Sequence, residues 1–289
     1  MENSGPISFQ STFGEDLLRP YAITLDDRGN LYVTEALGGR VSKFDENGNL
    51  LLRFGRGEGG MFKKNGRLIR PAGIAVDKKG NMYVTDFKLN RVFTYNPQGC
   101  YLSSFGKHGK EDGQFNHCLS IRVDPEGNLV VVDRENHRLQ KFDPQGKFRS
   151  TLGRQGDDGK GHAFFNHPSD LAYDAEGCMF VVDENNTRVQ KFDPRGNFMF
   201  KFGKAGYEKG QFINPRGIAI DEQERLYITD ATRELVLVFN CYGHYLYSFW
   251  GPIQVGGSLF RPIGIAIDKH GKIYIADSQN NRIMVFMLG

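Results

Sequence analysis

The chain has 289 residues, of which 12% are aromatic and 25% charged, and a formal net charge of +3. So mild a balance gives no support, on total charge alone, to a nucleic-acid partner, and no apolar run approaches the roughly 20 residues of a membrane-spanning helix. The four cysteines (Cys100, Cys118, Cys178, Cys241) form no C-x-x-C pair and read as reduced, partly buried thiols.

In chain order, Met1-Glu2-Asn3-Ser4-Gly5 has neither the basic nor the apolar region of a secretory signal, so a cytoplasmic protein is expected. Ile7–Phe13 reads as a strand, and its close on Phe13-Gly14 matches later endings at Phe54, Phe105 and Phe202. A pattern then begins at Arg19 and recurs from Arg70, His117, His167, Asn214 and Arg261. Its marker acid falls at Glu35, Asp86, Asp133, Asp183, Asp230 and Asp277, at intervals of 51, 47, 50, 47 and 47 residues. A fixed period of that size signals stacked or closed repeats, and no single copy can bury its apolar faces alone.

Each copy holds four short runs of strand character; in the second they are Gly73–Val76, Asn81–Thr85, Arg91–Tyr95 and Tyr101–Phe105. Turns such as Asp77-Lys78-Lys79-Gly80 and Asn96-Pro97-Gln98-Gly99 separate them. Asp or Asn opens such a turn with its side chain, and Gly supplies the positive φ three residues on. The fifth copy departs from the rule, with Glu224 in place of that Gly. Six copies of four antiparallel strands without helices predict an all-β, six-bladed propeller spanning 1–289 as a single domain. Its blades lie at approximately 19–55, 70–106, 117–153, 167–203, 214–251 and 261–289. The last copy ends after its third strand, so strand 7–13 is expected to complete that blade and close the ring.

The phrases Arg70-Pro71-Ala72-Gly73-Ile74-Ala75-Val76-Asp77, Gly80-Asn81-Met82-Tyr83-Val84-Thr85-Asp86 and Asn281-Arg282-Ile283 resemble the NHL repeat. His137-Arg138-Leu139-Gln140 and Thr187-Arg188-Val189-Gln190 are close forms of it. The resemblance covers essentially the whole chain. It implies a six-bladed propeller like the NHL domains of tripartite-motif proteins, a motif that specifies fold strongly and function poorly.

The marker acid and an Arg five residues on recur as Glu35/Arg40, Asp86/Arg91, Asp133/Arg138, Asp183/Arg188 and Asp277/Arg282. A repeated ion pair tying two strands explains them better than catalysis does. The fifth copy has Leu235 instead of the Arg, so that blade is expected either to be held more by apolar packing or to differ for a binding reason. The Asp-x-x-Gly turns lack the carboxylate density of a calcium loop.

The residues that open the copies, Arg19, Arg70, His117, His167, Asn214 and Arg261, precede the innermost strands and are expected to ring one mouth of the central channel as a positive funnel. Loops between second and third strands open on the same face and bring Phe87, Lys88, Arg134, His137 and Arg233, among several Asn residues. The connection Arg56–Ile69, with Lys63, Lys64 and Arg67, adds a basic segment able to clamp an anion. Amide, cationic and aromatic groups on one face suit single-stranded RNA, and equally a protein or peptide partner. His117 and His167 could hold zinc, and resemblance to an NHL-like lyase acting on peptidyl-α-hydroxyglycine would give that zinc a use. The matching third position is Asn214 or an Arg, so no metal, no cofactor and no catalysis are expected. The expectation is a monomeric recognition module with no membrane association, RNA being the leading ligand.

Overall fold

The computed structural model describes residues 6–56, 66–153, 164–250 and 257–289. Lys63, Lys64 and the first five residues lie outside these. The described residues form six sheets of four antiparallel strands. In each of the first five blades the strands follow chain order from axis to rim, as in Pro71–Val76, Met82–Asp86, Arg91–Tyr95 and Tyr101–Phe105. The first strands of successive blades adjoin one another around the axis. The sixth sheet joins Pro262–Ile267, Lys272–Asp277 and Arg282–Leu288 to the N-terminal strand Ile7–Phe13. That strand runs antiparallel to the last one, with Ile7 opposite Leu288 and Phe13 opposite Ile283, so chain start and chain end share one blade as expected. No described helix is long and apolar enough to cross a membrane. The expectation of no helix needs one amendment: Arg134–Asn136, Glu184–Asn186 and Ser278–Asn280 each make a single 3₁₀ turn.

The core lies between blades rather than within them. Ala75, Tyr83 and Val92 of the second blade pack with Ile121, Leu129, Val131 and Phe142 of the third, for example. Close approach at the axis depends on particular residues. A Cβ on Gly217 would lie 2.3 Å from the Ile263 carbonyl oxygen, and one on Gly264 2.5 Å from that of Tyr21. Thr34, Thr85 and Thr229 bond across the same junctions to the carbonyls of Ala72, Leu119 and Ile263 at 2.6–2.7 Å. The fifth blade's irregular turn is accommodated by Glu224 itself adopting φ +57°, the left-handed region that its glycine counterparts occupy. Tyr227, Val236, Val238 and Phe249 of this blade are buried against the sixth, as apolar residues are at the other junctions.

Candidate functional site

Each blade begins with a buried wedge, two residues ahead of its channel-mouth residue: Leu17, Leu68, Phe115, Phe165, Phe212 and Leu259. The residue between wedge and mouth then donates its backbone N–H to the marker acid of the same blade. Leu18 reaches Glu35 (2.9 Å), Ile69 Asp86 (2.6 Å), Asn116 Asp133 (2.7 Å), Asn166 Asp183 (2.7 Å), Ile213 Asp230 (2.7 Å) and Phe260 Asp277 (2.7 Å). All six acids are fully buried. Their shared task is therefore to anchor the segment that carries the mouth residue, and the Arg is an addition. Arg40, Arg138, Arg188 and Arg282 do pair with their acids at 2.7–2.8 Å. The expected Asp86/Arg91 pair is absent: Arg91 is exposed and bonds the Gly106 carbonyl, while Asp86 is satisfied by four backbone N–H groups. Burial raises the carboxyls of Asp133 and Asp183 above the ordinary carboxylate range, although Asn136 and Arg138, and Asn166 and Arg188, bond them.

Neighbouring blades are stitched at the mouth itself. The backbone N–H of Arg19 donates to Asn281 Oδ1 (2.9 Å), that of His117 to Asn90 Oδ1 (2.6 Å) and that of His167 to His137 Nδ1 (3.1 Å). Four of the six mouth residues hold left-handed backbone: Arg19, His117, His167 and Arg261, with φ of 52–59°. Asn136, Asn186 and Asn280 bond their blade's acid. Many loop amides that looked free for a ligand are thus engaged within the scaffold.

The structure gathers only part of the expected ring. A cavity of ≈ 170 Å³ at the channel mouth is lined by Arg19, Arg70, Arg134, Arg261 and Phe87, with Arg216 and Tyr21 among its other walls. Below it the space between inner strands narrows to ≈ 20 Å³ among Gly73, Ser120, Asp170 and Gly217, so the mouth is a blind cup. Two of its guanidiniums are neutralised. Arg134 pairs with Glu135 (2.7 Å) and Glu184 (3.1 Å), and Arg216 with Glu184 (2.7 Å), while Arg216 also donates to the Tyr21 hydroxyl (2.5 Å). Arg19, Arg70 and Arg261 have no side-chain ion pair or hydrogen bond among the described residues; Arg70 lies 5.3 Å from the centre of the Phe87 ring. Uncompensated positive charge therefore belongs to blades six, one and two. Arg216 and Tyr21 were not singled out from sequence, although both occupy the variable position of the R-P-x-G phrase.

The remaining expected residues are placed elsewhere. Phe87 is already stacked, parallel to His117 with centroids 4.1 Å apart, so it positions Arg70 rather than offering a free face. His167 contacts Glu135 (3.1 Å), Asn166 (2.7 Å) and Asn185 (2.8 Å), and its ring meets that of His137 edge-on at 4.6 Å. Burial of Glu135 is outweighed by His167 and Arg134, which hold its carboxyl below the usual range. Burial, then His167, holds His137 below the usual imidazole value. Asn214 faces a different recess, with Glu184 and Asn185. Lys88 is exposed. Arg233 is spent on scaffold: it donates to the carbonyls of Tyr207, Glu208 and Gln211, much as Arg138 does to those of Glu111 and Gln114. It replaces the missing strand Arg of the fifth blade from a position two residues earlier. The described residues hold no group of three His, Cys, Asp or Glu placed to bind a metal ion.

Against known proteins, residues 115–142 and 261–286 match the NHL repeat, and residues 162–255 match a family of six-bladed β-propellers. No curated protein matches the chain. Among solved structures it is similar to a catalytically inactive virginiamycin B lyase from Staphylococcus aureus with quinupristin, at 14% identity over 93% of this chain and 80% of that one, with a TM-score of 0.65. It is also similar to a gluconolactonase from Xanthomonas campestris (14%, 94% and 87%, TM-score 0.68) and to a protein of unknown function from Bacteroides thetaiotaomicron (16%, 99% and 76%, TM-score 0.70). At such identities the likeness is one of fold. With its six sheets closed by the N-terminal strand, the chain is a six-bladed β-propeller that carries NHL repeats.

Proposed function

We propose that the chain is a non-catalytic recognition module that binds single-stranded RNA across the arginine cup. The observation that carries this reading is the trio Arg19, Arg70 and Arg261, which lie around one blind cavity without a counter-charge. Buried wedges fix the backbone that carries these three guanidiniums, whose planar donor forks match the oxygens of a phosphate. The cup is too small to enclose more than a phosphate or part of a nucleotide, so bases would lie over the rim, against the guanidinium faces and His117. The likeness to a lyase and a gluconolactonase concerns the fold and does not bring their reactions here.

The test compares two charge reversals of equal size in binding to a randomised single-stranded RNA pool. Arg70→Glu with Arg261→Glu should weaken binding about tenfold or more, and wild-type affinity should fall steeply with salt. Lys147→Glu with Arg195→Glu reverses two exposed cations on hairpin turns at the opposite ends of the strands and should change little. Equal losses in both would mean non-specific attraction, and no wild-type binding at low salt would reject RNA. A second reading, a protein partner presenting carboxylates, is favoured by one observation. Leu18 (41% exposed), Leu37 (67%) and Ile69 (43%) stand beside the same arginines, and aliphatic groups give a base nothing to stack on.

A further inference from the structure

A second cavity, unrelated to the arginine cup, lies between the third and fourth blades and has a volume of ≈ 250 Å³. Its origin can be traced through the repeats. At four junctions, the last residue of a blade's outer strand is a Phe whose ring packs beneath the turn glycine of the next blade. Those pairs are Phe13 with Gly48, Phe54 with Gly99, Phe105 with Gly146 and Phe202 with Gly243, where an added Cβ would lie 2.5–2.9 Å from the Phe. At the third-to-fourth junction the residue is Leu152, and a Cβ on Gly196 would meet nothing within 4 Å. A second departure falls at the same junction. The first strands end on Leu25, Val76, Val123, Ile220 and Ile267 in the other blades, but on Tyr173 in the fourth. Tyr173 lines the cavity, and its hydroxyl has no hydrogen-bond partner among the described residues. Leu139, Leu152 and Met179 supply apolar wall. Charged groups also line it: Lys141 is neutralised by Asp124 (2.7 Å) and Glu126 (3.0 Å), and Glu176, Asp193 and Arg195 stand on the turns in its wall.

We propose that this cleft is a binding site for a small molecule with a single aromatic ring and one hydrogen-bonding substituent, the ring occupying the place that Phe fills at four of the other junctions. The space suffices, since an apolar cavity of about 150 Å³ already takes up benzene. The chemistry is matched, because the slot is apolar where the ring would lie and carries an unpaired hydroxyl where a phenolic or amino group could bond. A groove also opens between the second and third blades, but there Phe105 fills the slot beneath Gly146; at the third-to-fourth junction the ring is missing and a hydroxyl is added.

The probe is 4-fluorophenol, followed by its ¹⁹F resonance while it is titrated against the full chain. Wild type should give a saturable shift. Leu152→Phe restores the ring of the other junctions, should fold with a melting temperature at or above that of wild type, and should lose binding by about tenfold or more. Tyr173→Phe keeps the shape and removes the hydroxyl, and should weaken binding by about fivefold. Absence of a saturable shift with wild type, or binding by Leu152→Phe equal to wild type, would overturn the proposal. An unaltered affinity in Tyr173→Phe would overturn the assigned role of the hydroxyl. RNA binding at the arginine cup does not enter any of these readouts.

Discussion

The closing strand is the most consequential element to perturb. Phe13 belongs to the sixth blade by pairing but packs on the first: its ring meets Phe44 edge-on at 5.2 Å and lies beneath Gly48, where an added Cβ would be 2.8 Å from Phe13 Cγ. Phe9 performs the complementary task, meeting Phe286 of the last strand at 5.8 Å. A fully buried Phe→Ala costs about 3–5 kcal/mol. Phe13 is only partly buried, so Phe13→Ala should cost about 2 kcal/mol, the aromatic pair included. In a chain of this size that corresponds to roughly 4 °C in melting temperature. Deleting residues 1–12 removes the pairing as well, bares the edge of Arg282–Leu288 and uncovers Phe286. Set against a net stability of about 5–15 kcal/mol, this should unfold the ring or drive edge-to-edge association. Thermal melts and size-exclusion chromatography read both effects. A truncated chain that stays monomeric and melts within about 1 °C of wild type would refute the argument that the strand closes the ring.

Arg188→Ala should destabilise by about 3–5 kcal/mol, since it strips the buried Asp183 of its cation and the Phe164 carbonyl of a donor, whereas Arg91→Ala should stay within about 0.5 kcal/mol in the same denaturant titration. Glu224→Gly should stabilise by about 1 kcal/mol, because Glu224 holds a left-handed φ of +57° that glycine adopts without strain; a destabilised variant in chemical denaturation would show that the Glu side chain makes up for it. His137 is held below the usual imidazole value, so the unfolded chain binds the extra proton first. Stability should then fall as pH drops below about 6.5, by at most about 1.4 kcal/mol per pH unit for one proton. His137→Asn keeps an acceptor for the His167 N–H and should flatten that part of the profile, which pH-dependent melts would reveal. Purified protein should carry no stoichiometric zinc after dialysis, and elemental analysis finding one ion per chain, lost on replacing His117 and His167 by Ala, would revive a metal-dependent reading.

The repeat period, the Asp-x-x-Gly turns and the Phe-Gly strand endings were enough to derive the blade count, the strand order and the closing strand. The turns and the strand endings act over a few residues and form in the same way wherever they are placed, and the period repeats them. The identity of the mouth residues was legible for the same reason, because Arg19, Arg70 and Arg261 occupy equivalent places in their copies. What each side chain then contacts depends on the next blade, some 30 to 50 residues away in sequence, and could not be read locally. His117 stacks on Phe87 across one junction, and Arg216 joins Glu184 of the neighbouring blade and Tyr21 across the axis. Asp86, alike in sequence to Asp183, is satisfied by backbone where Asp183 takes an Arg. The net positive charge left at the cup, and the gap left by Leu152 beneath Gly196, are differences between neighbouring surfaces, and such differences exist only once the ring has closed.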